Sequence, residues 1–161
     1  MKKTDRILVF TDLDGTLLDH RTYSFEPARP ALRLLRESGI PLIICTSKTR
    51  AEVEEIRAAL GNTDPFIVEN GGAIFVPQGY FSIEPPASRM DAGHLVVELG
   101  TSYSRILSVF SRVKERMPGR LRGFSDMTVE EVARLTGLSL EEAARAKIRE
   151  YDEPFLLDDP A

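Results

Sequence analysis

The stretch ILVFTDLDGTLLDH, residues 7–20, passes from a continuous apolar run into two carboxylates, Asp12 and Asp14, separated by one leucine. An apolar run without alternation reads as a strand of a buried parallel sheet. On an extended backbone, residues two apart point to the same side, so Asp12 and Asp14 share a face while Leu13 turns towards apolar packing. Gly15 allows a sharp turn directly afterwards, and Thr16 adds a hydroxyl. Open α/β sheets collect ligands beyond the carboxyl ends of their strands, which is where this pair falls. Two close carboxylates repel, and a cation between them relieves the repulsion.

Two further apolar runs, residues 41–45 and 66–69, read as parallel strands covered on both faces. Between the first two strands, FEPARPALRLLRESG places Ala31, Leu32, Leu34 and Leu35 on a helical stripe ended by Gly39. Between the second and third, SKTRAEVEEIRAALGN offers Ser47 or Thr49 as N-cap, Val53, Ile56 and Leu60 on one face, and Gly61 as the stop. Strand and helix in alternation predict an open parallel sheet with right-handed crossovers.

From Ala73 the apolar phase changes. AIFVPQGYFSI predicts a hairpin around Gln78-Gly79 that leaves the sheet. HLVVELG reads as a strand, residues 102–119 as a helix closed by Pro118-Gly119, and LRGFSDMT as a strand or loop. Two short helices follow, opened by Thr128 and Ser139, each with Glu three residues on, the capping-box spacing. We place a boundary near Gly79, separating residues 1–79, a core, from residues 80–161, a mixed α/β unit.

The totals narrow the function classes. The 161 residues suffice for one domain with a genuine core, and 42% apolar with 29% charged residues is the balance of a soluble globular chain. A net charge of −4 with the two signs interspersed excludes a basic stripe for nucleic acid. The opening MKKTDRILVF is too short an apolar stretch to span a bilayer. Cys45, the sole cysteine, lies inside PLIICTS, so a buried thiol and a reducing, cytoplasmic setting are expected.

The string D-L-D-G-T-L resembles the first signature of the haloacid dehalogenase superfamily of phosphotransferases. The resemblance implies a Rossmannoid α/β core with an inserted α+β cap, Asp12 as nucleophile, and Asp14 as general acid and base. It also implies Mg²⁺, held by the Asp12 carboxylate and the Asp14 backbone carbonyl. Thr46, at the end of IICTSKTR, matches the second signature, a hydroxyl donating to the phosphoryl group. Ser47 and Lys48 would add phosphate donors, and Arg50 is a weaker candidate for other substrate anions. A plain helix start with solvated basic side chains is the alternative reading of the same residues. Glu69, Asn70 and Gly71, from VENGGAIF, would face the same sheet edge, although Asn-Gly-Gly is good turn chemistry on any protein.

CTSKTRAEVEEIR, PFIVENGGAIFVP and residues 123–155 together resemble the mannosyl-3-phosphoglycerate phosphatases. This implies a phosphorylated sugar substrate and hydrolysis to mannosylglycerate. A broader sugar-phosphate phosphatase, a phosphomannomutase-like enzyme, or a non-catalytic remnant binding a phosphorylated ligand are the alternatives. EYDEPF falls where the cap would approach the site, and equally reads as a solvated helix end. The family's third and fourth signatures, a lysine and a Gly-Asp segment, find no match: Asp158 and Asp159 lack the preceding strand and Gly. Residues 7–10 would then be an exposed apolar edge. The sequence is therefore expected to be the N-terminal portion of a longer protein, weakly active alone, with self-association or a complementing C-terminal segment covering that edge.

Overall fold

The computed structural model describes residues 7–83, 86 and 88–157; Asp158 and Asp159 fall outside them. Three parallel strands, β1 (Val9–Thr11), β2 (Leu42–Cys45) and β3 (Phe66–Val68), alternate with α1 (Arg29–Glu37) and α2 (Arg50–Leu60). Next come β4 (Ala73–Pro77), β5 (Ser88–Asp91), β6 (His94–Glu98) and α3 (Tyr103–Arg116). Then follow β7 (Leu121–Gly123), α4 (Val129–Thr136), α5 (Leu140–Ala146) and β8 (Phe155–Leu157). The main sheet has the order β1-β2-β3-β4-β6-β5, and β7 pairs with β8 separately. The sheet thus continues across Gly79 into β5 and β6.

The local signals work where expected. Thr49 caps α2, its hydroxyl accepting the Glu52 N–H while Glu52 accepts the Thr49 N–H, and Gly61 closes the helix with φ 63°. Thr128 with Glu131 and Ser139 with Glu142 form the same reciprocal box on α4 and α5. Each box satisfies two N–H groups that the first turn leaves without helical partners.

Three expectations need correction. First, among the described residues α1 and α2 cover the parallel strands on one face. Leu13, Ile44, Phe66, Val68, Phe75 and Val96 face α2 and form the core with Val53 and Leu60. Phe66 and Phe75 stack there at 5.1 Å. The alternate residues Ile43, Ile67, Ile74 and Val97 instead line an open hollow with Phe10. Both crossovers are right-handed and step across the sheet in one direction, so both helices land on the same side. Cys45 ends β2 on the other side, and its thiol is exposed. Second, the hairpin around Gln78-Gly79 does not form: β4 stays in the sheet between β3 and β6, and residues 78–83 are turn and bend. β4 finds its antiparallel partner about twenty residues on, because β6 matches it over five residue pairs from Ala73↔Glu98 to Pro77↔His94. Third, the α1 stripe is only partly used. Leu32 packs on the core, whereas Leu34 is 63% exposed.

The expected exposed edge is present. β1 is the outer strand, and Ile7, Leu8 and Phe10 are each more than half exposed. Among the described residues no helix is long and apolar enough to cross a membrane.

Candidate functional site

β1 ends at Thr11, and the chain turns at once. The Leu17 N–H donates to the Asp12 carbonyl at 3.3 Å, Leu18 N–H to the Leu13 carbonyl at 2.8 Å, and Gly15 takes φ 69°. Leu13 is fully buried, while Asp12 and Asp14 are exposed on either side of it. These three residues lie past the end of β1, in the turn itself. The Asp12 carboxylate makes no hydrogen bond or ion pair among the described residues, whereas Asp14 meets the Lys48 ammonium at 3.1 Å. Lys48 also reaches the Glu52 carboxylate at 3.5 Å and lies over the Tyr23 ring. Burial by itself would lower the Lys48 pKa, but Glu52 and Asp14 outweigh it and hold the ammonium above its ordinary range.

Thr46 is buried behind this pair. Its hydroxyl oxygen accepts the Lys48 N–H at 3.3 Å, which leaves the hydroxyl hydrogen to be donated, and its carbonyl accepts the Asn70 N–H at 3.1 Å. The tips of β2 and β3 are thereby tied together. At the β3 tip, Glu69 (φ 47°) and Asn70 (φ 58°) both sit in the left-handed region, uncommon for residues with a side chain. The cause is on the far side of the chain. The buried Glu69 carboxylate accepts the N–H groups of Glu150, Tyr151 and Asp152 at 2.8–3.1 Å, with the Arg149 guanidinium at 3.7 Å. Burial pushes the Glu69 carboxyl up, against the Tyr151 amide, Arg149 and the Glu150 amide, which favour its anion.

The segment 149–153 is therefore no solvated helix end. Tyr151 belongs to the main core, its hydroxyl donating to Glu98 at 2.9 Å. Asp152 accepts from Arg149 at 2.6 Å and from the Asn70 amide at 3.1 Å. Glu153 accepts from the Tyr103 hydroxyl at 2.6 Å and from the Ser125 N–H at 2.8 Å. Arg149 also donates to the Ser47 carbonyl at 3.1 Å, so one guanidinium touches the β2 tip and the returning segment. The chain passes so close that a Cβ on Gly72 would stand 2.3 Å from the Tyr151 Cβ. Gly72→Ala is therefore expected to cost about 3 kcal/mol, read as a lowered urea midpoint with unchanged slope.

Between the strand tips and this segment lies a cleft of about 560 Å³. Asp14, Ser47, Lys48 and Asn70 line it together with Phe124, Arg149, Asp152, Pro154 and Phe155; Asn70 bonds Asp152 and Arg149 bonds the Ser47 carbonyl, so the strand tips and the returning segment meet at its rim. The structure thus gathers four of the predicted residues at one opening. Asp12 and Thr46 are their neighbours in the chain. Gly71, with φ 91°, shapes the turn. Glu69 lies behind the wall, its carboxylate turned to the chain's own backbone. Arg50 points away, pairing with Glu54 at 2.9 Å and Asp91 at 2.8 Å over the Phe75 ring. Glu52 and Arg149 escaped the sequence reading, and Asp152 and Phe155 entered it only as part of EYDEPF. The one available signal was a tyrosine and a phenylalanine embedded among the charges of REYDEPF.

Among the described residues no three His, Cys, Asp or Glu side chains stand together as a metal site. The donor chemistry of the β1 tip nonetheless suits a hard cation. Asp12 and Asp14 offer only oxygen, and Mg²⁺ commonly binds through one or two carboxylates, completed by waters and substrate phosphate.

An acidic pair just past the first parallel strand, with Asp14 and Lys48 lining a cleft, belongs to an α/β domain of the kind that commonly collects ligands beyond its strand ends. A model of the haloacid dehalogenase-like hydrolases matches residues 9–103. The chain belongs to the haloacid dehalogenase-like hydrolase family. It is 51% identical over 152 residues to a glucosyl-3-phosphoglycerate/mannosyl-3-phosphoglycerate phosphatase of Methanococcoides burtonii, covering 94% of this chain and 56% of that protein. A protein of the same description from Persephonella marina is 44% identical over 95% of this chain and 56% of its own length. A mannosyl-3-phosphoglycerate phosphatase of Pyrococcus horikoshii is 37% identical, over 91% of this chain and 58% of its own length. The chain thus spans little more than half the length of these curated relatives. Among solved structures, a subclass IIB sugar phosphatase of the superfamily aligns with TM-score 0.55 and 19% identity, covering 90% of this chain and 56% of that one. A haloacid dehalogenase-like hydrolase from B. subtilis aligns with TM-score 0.53 and 21% identity, over 87% and 49%. These two likenesses speak for the fold.

Proposed function

We propose that this chain carries the nucleophile and the phosphate-holding residues of a magnesium-dependent phosphatase acting on mannosyl-3-phosphoglycerate and its glucosyl counterpart. The observation that carries the reading is the Asp14–Lys48 contact at 3.1 Å, at the mouth of a cleft beside an uncommitted Asp12. The names of the relatives supply the substrate.

In this reading an Asp12 oxygen attacks phosphorus, the bond from phosphorus to the glycerate oxygen breaks, and Asp14 protonates the departing alkoxide. Asp14 then takes a proton from water as that water attacks the aspartyl-phosphate, releasing phosphate and restoring Asp12. Mg²⁺, held by the Asp12 carboxylate and the Asp14 backbone carbonyl, would supply neutralisation of the phosphate charge. Thr46 donates its hydroxyl hydrogen to the phosphoryl group, and Ser47 and Lys48 add donors. Asn70 and Gly71 contribute the turn that faces the substrate. Glu69 and Arg50 act through others, Glu69 by seating residues 150–152 and Arg50 by fastening α2 to β5. Residues 1–79 supply the core and residues 80–161 the cap, with β5 and β6 continuous with the core sheet. A cytoplasmic location fits the single cysteine. A further segment or a second copy would cover the β1 edge.

The test is free phosphate released from a panel of sugar phosphates by the reading frame that contains this chain, with Mg²⁺ or with EDTA. Turnover of mannosyl- and glucosyl-3-phosphoglycerate that EDTA abolishes is expected. Indifference to EDTA, or preference for unrelated sugar phosphates, would overturn the assignment. The 161-residue chain alone should release little phosphate, because its described residues bring two carboxylates and no third acid to the β1 tip; brisk turnover would refute this.

A further inference from the structure

The cleft that Asp14 and Lys48 line also carries two aromatic residues, Phe124 and Phe155, whose role the phosphoryl chemistry leaves open. Phe155 lines the cleft and is 55% exposed. It is nevertheless held in place. The Phe110 ring backs it at 5.7 Å, and Phe155 pairs with Gly123 across β7 and β8. Phe124, half-buried against the Met127–Val132–Ala143 cluster, donates its N–H to the Pro154 carbonyl at 2.9 Å. Phe124, Pro154 and Phe155 therefore form a supported apolar patch in a cleft whose other lining is mostly polar, and Phe155 also borders an apolar hollow along α3 with Ile106, Val109 and Val113.

The carboxylates in the same lining have structural partners: Asp152 serves Arg149 and Asn70, and Glu153 serves Tyr103 and Ser125. Each keeps lone pairs that a hydroxyl could use, but the exposed Phe155 ring beside them offers a flat apolar face.

We infer that Phe155, with Phe124 and Pro154, is the platform on which the sugar ring of the substrate rests, and that the sugar is recognised by the apolar face of its ring rather than by hydrogen bonds to individual hydroxyls. This rests on the glycosyl-phosphoglycerate reading above. A substrate whose phosphate is anchored at Lys48 would have the rest of its length in the same cleft, whose lining includes Phe155. Glucose and mannose differ only in the orientation of the hydroxyl on C2. A site that hydrogen-bonds a hydroxyl discriminates strongly against a substrate that cannot make the bond. Contact between an aromatic face and the C–H groups of a pyranose carries no such penalty. The platform therefore predicts a site that accepts both sugars.

The experiment compares kcat/KM for mannosyl-3-phosphoglycerate, glucosyl-3-phosphoglycerate and 3-phosphoglycerate, which lacks the sugar, in the complete reading frame and its Phe155→Ser and Phe155→Leu variants. For Phe155→Ser, the ratio of each glycosyl substrate to 3-phosphoglycerate should fall about tenfold, and by the same factor for both sugars within about threefold. Phe155→Leu, which keeps apolar bulk without a flat ring, should fall between and serves if the serine variant does not fold. Unchanged ratios, or a fall for one sugar alone, would overturn the platform. An equal fall on all three substrates would overturn it too, marking Phe155 as structural. If the unaltered protein turns over 3-phosphoglycerate but neither glycosyl compound, the functional reading itself falls and the platform with it. An active protein indifferent to Phe155 sinks the platform alone.

Discussion

Asp12→Asn is expected to lower phosphate release on the order of 10⁴-fold or more, with the folded structure unchanged. Asparagine matches aspartate in shape, but its amide cannot form the acyl phosphate, and removal of a nucleophile costs an enzyme nearly all the acceleration that passes through it. The structural cost should be small because the Asp12 side chain is exposed and uncommitted among the described residues. Its backbone carbonyl, which accepts the Leu17 N–H, is untouched by the substitution. The check pairs phosphate release with a urea melt. Retained turnover rules out the covalent route through Asp12, and a large drop in stability would show that Asp12 holds the β1 turn.

The second large effect falls on stability. Glu69→Ala is expected to destabilise the chain by about 3–5 kcal/mol, since it leaves three N–H groups at residues 150–152 without their acceptor and deprives Arg149 of a partner. Tyr151 sits at the centre of that segment and belongs to the main core, so the loss should spread to the β3–β4 region. Glu69→Gln keeps one acceptor oxygen and should lose roughly half as much. It also serves if the alanine variant does not fold. Urea midpoints measure the global loss. Hydrogen exchange at the amides of residues 150–152 should quicken first in the glutamine variant, and a loss below about 1 kcal/mol in Glu69→Ala would show that the clasp is incidental.

The parts of the fold legible in the sequence are those governed by neighbours. The capping boxes at Thr49, Thr128 and Ser139 span three residues, and each forms. Leu13 is buried between the exposed Asp12 and Asp14, as one apolar residue between two charged ones suggests. The errors concern partners far along the chain. A hairpin at Gln78-Gly79 was the locally consistent reading, but β4 pairs with a strand beginning at His94. Cys45 was read as buried because its neighbours are apolar, yet the face it shares is the one the helices leave open. Arg50 carries the right charge at the right helix start, but Asp91 and Glu54 draw it away from the cleft.

By itself the sequence determined the acidic strand tip, the alternating β/α order and the helix boundaries, because each depends on bond geometry and on residues within a turn of one another. Tertiary structure alone decided which face of the sheet is covered, that Glu69 grips backbone 81–83 residues away, and that Phe155 lines the same cleft as Lys48. Those outcomes depend on where distant segments meet. A carboxylate has the same local signature whether it faces solvent, a metal or the chain's own amides.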